Sequence, residues 1–314
     1  MIAESSTEEH VKRIKKTVTK IKKEMPSLAI ILKAYEKVFA ERARLREGLP
    51  LPIDVRISSP DPLRFFQGMT LMNEGIFPLS TDSMEKVSDR MIPVLARTFP
   101  KIRPVLKNLK TALKKNKPDL KNCMENMLHS RDEIISQTAL DLKSDTVTLK
   151  FILGQLLKPL IEKQAESLRP VIKNLNWKKG YCPICGSFPV LSYLKGDEGQ
   201  RWLVCGLCSH EWRFARTECP FCENENAKKS EFCFVEDRAY ERAEMCHQCK
   251  RYLTGVDLRK YPYEFIPEVA VAGMMYLDIL AQEKGYHPMA DSAWTLVPHL
   301  EISSKKPKSK VRNS

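Results

Sequence analysis

The sequence predicts an α + small β chain. It has an N-terminal all-α domain, then two small zinc-ribbon-like metal subdomains, then a C-terminal helix. Three observations predict this. Apolar residues recur at helical period as far as residue 175. From Gly180 onward, short aromatic and β-branched runs alternate with cysteine pairs of the form C-x-x-C. After residue 260 a long apolar helical run returns. The expected units are a helical domain 1–175, metal subdomains 176–217 and 218–260, a C-terminal helical segment 261–300 and a disordered basic tail 301–314.

The helical part is argued from its stripes. "SLAIILKAYEKVFAERARL" (27–45) carries Leu28, Ile31, Leu32, Tyr35, Val38 and Phe39 near helical spacing, with Ser27 after Pro26 as the expected N-cap. "SMEKVSDRMIPVLARTF" repeats the pattern. "TVTLKFILGQLLKPLIEKQAESL" places Leu149, Ile152, Leu153, Leu156, Leu157, Leu160 and Ile161 on one stripe. Pro159 and Pro170 are expected to kink or divide it, because proline lacks the helical N–H and clashes with the preceding turn. No long β-type alternation precedes residue 180. Beyond it, "FPVLSYL", "RWLVC", "EWRFA" and "SEFCFVE" read as short strands, and "FIPEVAVAGMMYLDILAQEKGY" as one final helix.

Four cysteine pairs carry the chemistry: Cys182/Cys185, Cys205/Cys208, Cys219/Cys222 and Cys246/Cys249. A two-residue gap allows a tight turn that points both sulfurs at one ion. Proline after the first cysteine presets φ for that turn, and Gly186 supplies the freedom to leave it. Glu223 stands at the equivalent place in the third pair, where a looser exit is expected. Two such turns supply four thiolates in a tetrahedron, which suits zinc or a single iron. Four turns make two sites. Sequential pairing is expected, because the halves read as a degenerate repeat in which Arg201 and Arg242 each precede a cysteine by four residues; cross-braced pairing stays open. Cys123 and Cys233 fit no pair, and Cys233 reads as a small buried strand residue. His210 and His247 flank the pairs, but no ligand is missing for them to replace. Each expected site is closed by four thiolates, so it reads as structural, with no open position for catalysis. No H-E-x-x-H, G-x-S-x-G or phosphate loop is present.

Composition bounds the function classes. The chain has 314 residues, 43% hydrophobic and 29% charged, as expected of a globular protein. The start, "MIAESSTEEH", does not read as a secretory leader. The longest apolar run, 266–281, is too short to span a membrane and contains Glu268 and Asp278. A cytoplasmic protein without membrane insertion is expected, with thiols kept reduced. The net charge of +13 resides in residues 1–179, whereas 180–260 hold 12 basic and 12 acidic residues.

The stretches "LGQLLKPLIEKQAESLRPVIKNLNWKKGYCPICGSFPVL", "GQRWLVCGLCSHEWRFARTECPFC", "MCHQCKRYL" and "YLDILAQEKGY" resemble the formate dehydrogenase accessory (formation) protein family, FdhE-like. The resemblance runs from about residue 153 to residue 286. It implies a helical N-terminal domain and two rubredoxin-like metal subdomains, with the eight paired cysteines as ligands and iron as the metal. It also implies a non-catalytic role: helping respiratory formate dehydrogenase to mature by contacting its catalytic subunit. Two features depart from the family pattern. Thr254 stands where a lysine is expected, and "IPEVAVAGMM" matches less well than the end of its helix.

Two other classes compete with this reading. A nucleic-acid-binding zinc ribbon needs clustered Lys and Arg at the ribbons, and the neutral segment 180–260 argues against it. The basic helix at 101–117 reads as a solvated face. An electron carrier like free rubredoxin fits two mononuclear sites but leaves the helical domain without a purpose. Self-association is left open.

Overall fold

The computed structural model describes residues 2–51, 60–74, 79–114, 119–128 and 132–290. Its first half is helical: α1 (Ile2–Glu24), α2 (Ala29–Gly48), α3 (Pro62–Phe66), α4 (Thr81–Thr98), α5 (Arg103–Leu113), α6 (Leu120–Leu128), α7 (Asp132–Asp141) and α8 (Thr146–Ile172). α1 buries Val11, Ile14, Val18 and Ile21, one stripe at helical spacing, against α2. The expected stripe of α2 is buried as read, from Leu28 to Phe39. Ser27, however, does not cap it. Pro26–Leu28 form a 3₁₀ turn, Leu28 N–H donates to Met25 O at 3.0 Å, and α2 begins after that turn without a side-chain cap.

α8 is the central helix, packed by α2, α4, α6 and α7. All seven residues of its expected stripe are buried. Asp145 caps it, accepting from Thr148 N–H at 2.8 Å. The helix runs through both prolines, so the expected division does not occur. Pro170 falls in the last turn, and Pro159 is buried, where neighbouring helices hold the backbone despite the lost hydrogen bond.

The cysteine-bearing half contains β1 (Pro189–Lys195), β2 (Gln200–Cys205), β3 (Glu211–Arg213), β4 (Ser230–Cys233), β5 (Glu241–Cys246) and β6 (Arg251–Asp257). Each trio is an antiparallel meander, as the two-ribbon reading expects. The ribbons are not separate bodies, however. β1 and β6 pair in parallel through Ser192–Gly255, Tyr193–Val256 and Leu194–Asp257, which gives one sheet in the order β3-β2-β1-β6-β5-β4.

The final helix is also broken, into α9 (Pro267–Gly273) and α10 (Met275–Glu283), with Met274 leaving helical geometry between them. The chain then returns to the sheet as β7 (His287–Pro288), parallel to β6. α9 packs on α1 and α2, with Val269 to Gly273 buried, so the segment that departs from the family pattern is core. Thr254 is likewise buried, at the seam of the two ribbons, where its hydroxyl reaches Val190 O at 3.4 Å. The basic tail 301–314 lies outside the described residues. Among the described residues, no helix is long and apolar enough to cross a membrane.

Candidate metal centres

The four C-x-x-C turns share one backbone design. In each, the residue after the second cysteine donates its N–H to the carbonyl of the first. Gly186 donates to Cys182, Glu223 to Cys219 and Lys250 to Cys246, each at 2.9 Å, and Ser209 to Cys205 at 3.3 Å. Those four exit residues all take left-handed backbone, with φ of 73° at Gly186, 55° at Ser209, 56° at Glu223 and 57° at Lys250. The expectation of a looser third exit is therefore corrected: Glu223 adopts the conformation that Gly186 adopts. The thiols also receive main-chain donors, as in the contacts of Leu207 N–H and Cys208 N–H with Cys205 Sγ, both at 3.4 Å.

The strands complete the gathering. β1 leads away from the first turn, and β2 returns to deliver Cys205 at the second. β5 delivers Cys246 to the fourth turn in the same way. Two clusters result: Cys182, Cys185, Cys205 and Cys208, then Cys219, Cys222, Cys246 and Cys249, with all sulfurs of a cluster within 4.8 Å of one another. The structure thus groups the turns sequentially. Close sulfur pairs lie 3.3–3.6 Å apart in the first cluster and 3.7–3.8 Å apart in the second. Four sulfurs at a metal–sulfur distance of about 2.3 Å stand about 3.8 Å apart on a tetrahedron. The donor set and its spacing fit a four-coordinate thiophilic ion, zinc or iron.

Electrostatics point the same way. Burial raises the Cys182 and Cys208 thiols far above their ordinary range. Burial opposes ionisation of Cys185 too, but hydrogen bonds from its neighbouring thiols hold it well below that range. In the second cluster burial pushes Cys219 up to about 11, while main-chain donors from Cys249 and Gln248 overcome burial to lower Cys246. Without a cation, each pocket stabilises one thiolate at the expense of its neighbours. A divalent ion held by the four cysteines would supply the positive charge that lets all four ionise.

The two centres differ in enclosure. The first is buried at all four cysteines, whereas Cys222 and Cys249 of the second are half-exposed. Helical elements close the first. Leu71 N–H and Met72 N–H donate to Pro183 O and Ile184 O at 3.1 and 2.9 Å. Tyr181 O–H donates to Gly68 O at 2.9 Å, and the Trp177 indole N–H to Tyr181 O at 2.8 Å. From α8, Lys158 Nζ reaches Gly206 O, Leu207 O and Ser209 Oγ at 3.1–3.2 Å, and Glu162 accepts from Ser209 Oγ at 2.7 Å. Sequence reasoning missed this clamp. Its only trace is one i,i+4 Lys–Glu pair set among the leucines of α8.

The centres are also tied to each other. Gly180, before the first turn, lies so close to the third that a Cβ there would stand 1.9 Å from Pro220 O. The repeated arginines converge on one acid: both Arg201 and Arg242 bond the Glu244 carboxylate. Neither leftover cysteine joins a centre. Cys233 is buried in β4, and Cys123 is buried in α6 with its thiol 3.5 Å from Thr138 Oγ1. His247 bonds Tyr286 at 2.7 Å, and His210, which burial pulls down to about 4, is neutral.

A helical bundle carrying two four-cysteine clusters on one sheet defines the class: a ribbon-type protein with two candidate metal centres. The family model described as "FdhE, central domain" matches residues 181–216. A protein named "Protein FdhE homolog" from Aquifex aeolicus (strain VF5) is 30% identical over 141 residues, which span 44% of this chain and 49% of that protein. The homologue from Haemophilus ducreyi (strain 35000HP / ATCC 700724) is 26% identical over 221 residues, 68% of each chain. The crystal structure of the FdhE protein from Pseudomonas aeruginosa superposes with a TM-score of 0.62 at 21% identity, covering 89% of this chain and 93% of that one. It shows that the fold is shared almost end to end. Together these matches make the chain similar to FdhE proteins, in sequence through the cysteine-bearing segment and in fold over most of its length.

Proposed function

We propose that this protein is a non-catalytic accessory factor that holds the catalytic subunit of formate dehydrogenase while that enzyme matures or is activated. Its eight cysteines, Cys182, Cys185, Cys205, Cys208, Cys219, Cys222, Cys246 and Cys249, ligate two metal ions. The observation that carries this reading is the gathering of these sulfurs into two closed sets of four. A closed set leaves no position for substrate or water, so the ion serves the architecture rather than hydrolysis. When bound, zinc would supply charge neutralisation and cross-linking alone; iron would add a one-electron couple. The chain's own residues do the rest: left-handed exits aim the sulfurs, main-chain N–H groups stabilise thiolates, and Lys158 and Glu162 fix the second turn to the bundle.

The test is genetic and biochemical. In a strain lacking this chain and any paralogue, formate dehydrogenase activity should fall while its subunits still accumulate. Full activity in that strain would sink the proposal. The expected compartment is the cytoplasm, which fractionation checks.

A further inference from the structure

A groove of about 1380 Å³ runs between the C-terminal end of α8 with the segment after it and the outer edge of the sheet at β3. That volume exceeds the few hundred to about 1,000 Å³ of a typical small-molecule pocket. Trp177, Trp202 and Trp212 line it, with Arg169, Lys173 and Arg213 among its cations. Those three cations are exposed and have no ion-pair partner among the described residues. Six cationic side chains line the groove against three carboxylates, and one of the six, Arg201, is already paired with Glu244.

β3 is a sheet edge. Cys205 N–H donates to His210 O, and Phe214 N–H donates to Arg201 O. By strand alternation, the main-chain groups of Glu211 and Arg213 therefore face away from β2. Such an edge offers donors and acceptors in turn to another extended chain.

Resting on the accessory reading above, we propose that this groove docks an extended, acidic segment of the client protein. The segment pairs its main chain with β3, sets acidic side chains against Arg169, Lys173 and Arg213, and lays apolar ones on the tryptophans. A single-stranded nucleic acid fits less well. Its phosphates only accept hydrogen bonds and so cannot match the alternating edge, and Glu198, Glu211 and Glu218 along the groove would repel them.

The test uses the full metal-loaded chain and fluorescence anisotropy. The probes are a labelled peptide of roughly eight residues alternating Glu and Val, its Lys–Val counterpart, and oligothymidylate of similar length. The Glu–Val peptide should bind and the Lys–Val peptide should not. Joint Arg169→Glu and Lys173→Glu substitutions should weaken binding at least about tenfold. Arg213→Pro, which removes an outward N–H that an edge strand can spare, should weaken it as well. Lys110→Glu on α5 should not. Unchanged metal content and melting show that each variant is folded. Binding of oligothymidylate without binding of the Glu–Val peptide would overturn the proposal, as would equal binding by wild type and the double variant. Co-purification with the formate dehydrogenase catalytic subunit separates the two claims. If wild type and double variant both hold the subunit, the groove is wrong and the accessory reading stands. If wild type does not hold it, the accessory reading fails and this client falls with it.

Discussion

Gly186, Ser209, Glu223 and Lys250 occupy equivalent places, and each turns the chain out of its knuckle through left-handed backbone. Only the first is glycine, which is why only the first exit was legible in the sequence; a glutamate or lysine gives no sign of positive φ. A Cβ on Gly186 would meet nothing closer than Thr70 at 3.7 Å. Gly186→Ala should therefore cost backbone strain alone, about 1–2 kcal/mol, read from the denaturant midpoint. Glu162 is a second residue with a definite expectation. Burial opposes its charge, but Lys158, Arg42 and Arg46 outweigh burial and hold the carboxyl below its usual range. A folded pKa below the unfolded value of about 4.3 means the stabilisation is complete above that pH. It is lost as pH falls through the folded value. Glu162→Gln should lower stability at neutral pH and flatten its decline in acid, as urea melts across pH would record.

At the scale of elements, α8 positions the second turn while forming the middle of the bundle. Its leucine stripe was legible because apolar spacing reports directly on burial. Its passage through Pro159 was not, because packing from α2, α4, α6 and α7 decides whether a helix survives a proline. Asp145→Ala should cost about 1 kcal/mol by removing the cap that starts this helix. Lys158→Met should act on the metal site instead. It leaves the carbonyls of Gly206 and Leu207 without their cation, so the first centre should lose its ion to a chelator faster than in wild type, with the second unchanged. Equal release from the two proteins would show the clamp to be incidental. The break at Met274 and the return of β7 to the sheet were not legible. An unbroken apolar run gives no sign of a bend set by packing on α1 and α2.

Across the whole molecule, the eight cysteines were legible from their two-residue spacing, but their grouping was not fixed by it: the repeated arginines favoured sequential sets, cross-braced sets stayed open, and the strands that carry the turns decide between them. The union of the ribbons was hidden. β1 and β6 lie more than fifty residues apart, and their parallel pairing depends on which edges remain after each meander forms. One sheet, with Glu244 holding arginines from both ribbons, should unfold in a single transition of the metal-loaded protein; two resolved transitions would show independent ribbons. Enclosure should separate the centres kinetically. With Cys222 and Cys249 half-exposed, the second ion should leave first, giving two phases of release to a coloured chelator. The central claim is that both four-cysteine sets hold an ion, and metal content per chain with an absorption spectrum, on anaerobically purified protein, tests it most directly. The account predicts two ions per chain, and one in either Cys182→Ser or Cys219→Ser, with visible colour if the ion is ferric iron. A folded wild-type chain carrying fewer than two ions would contradict it.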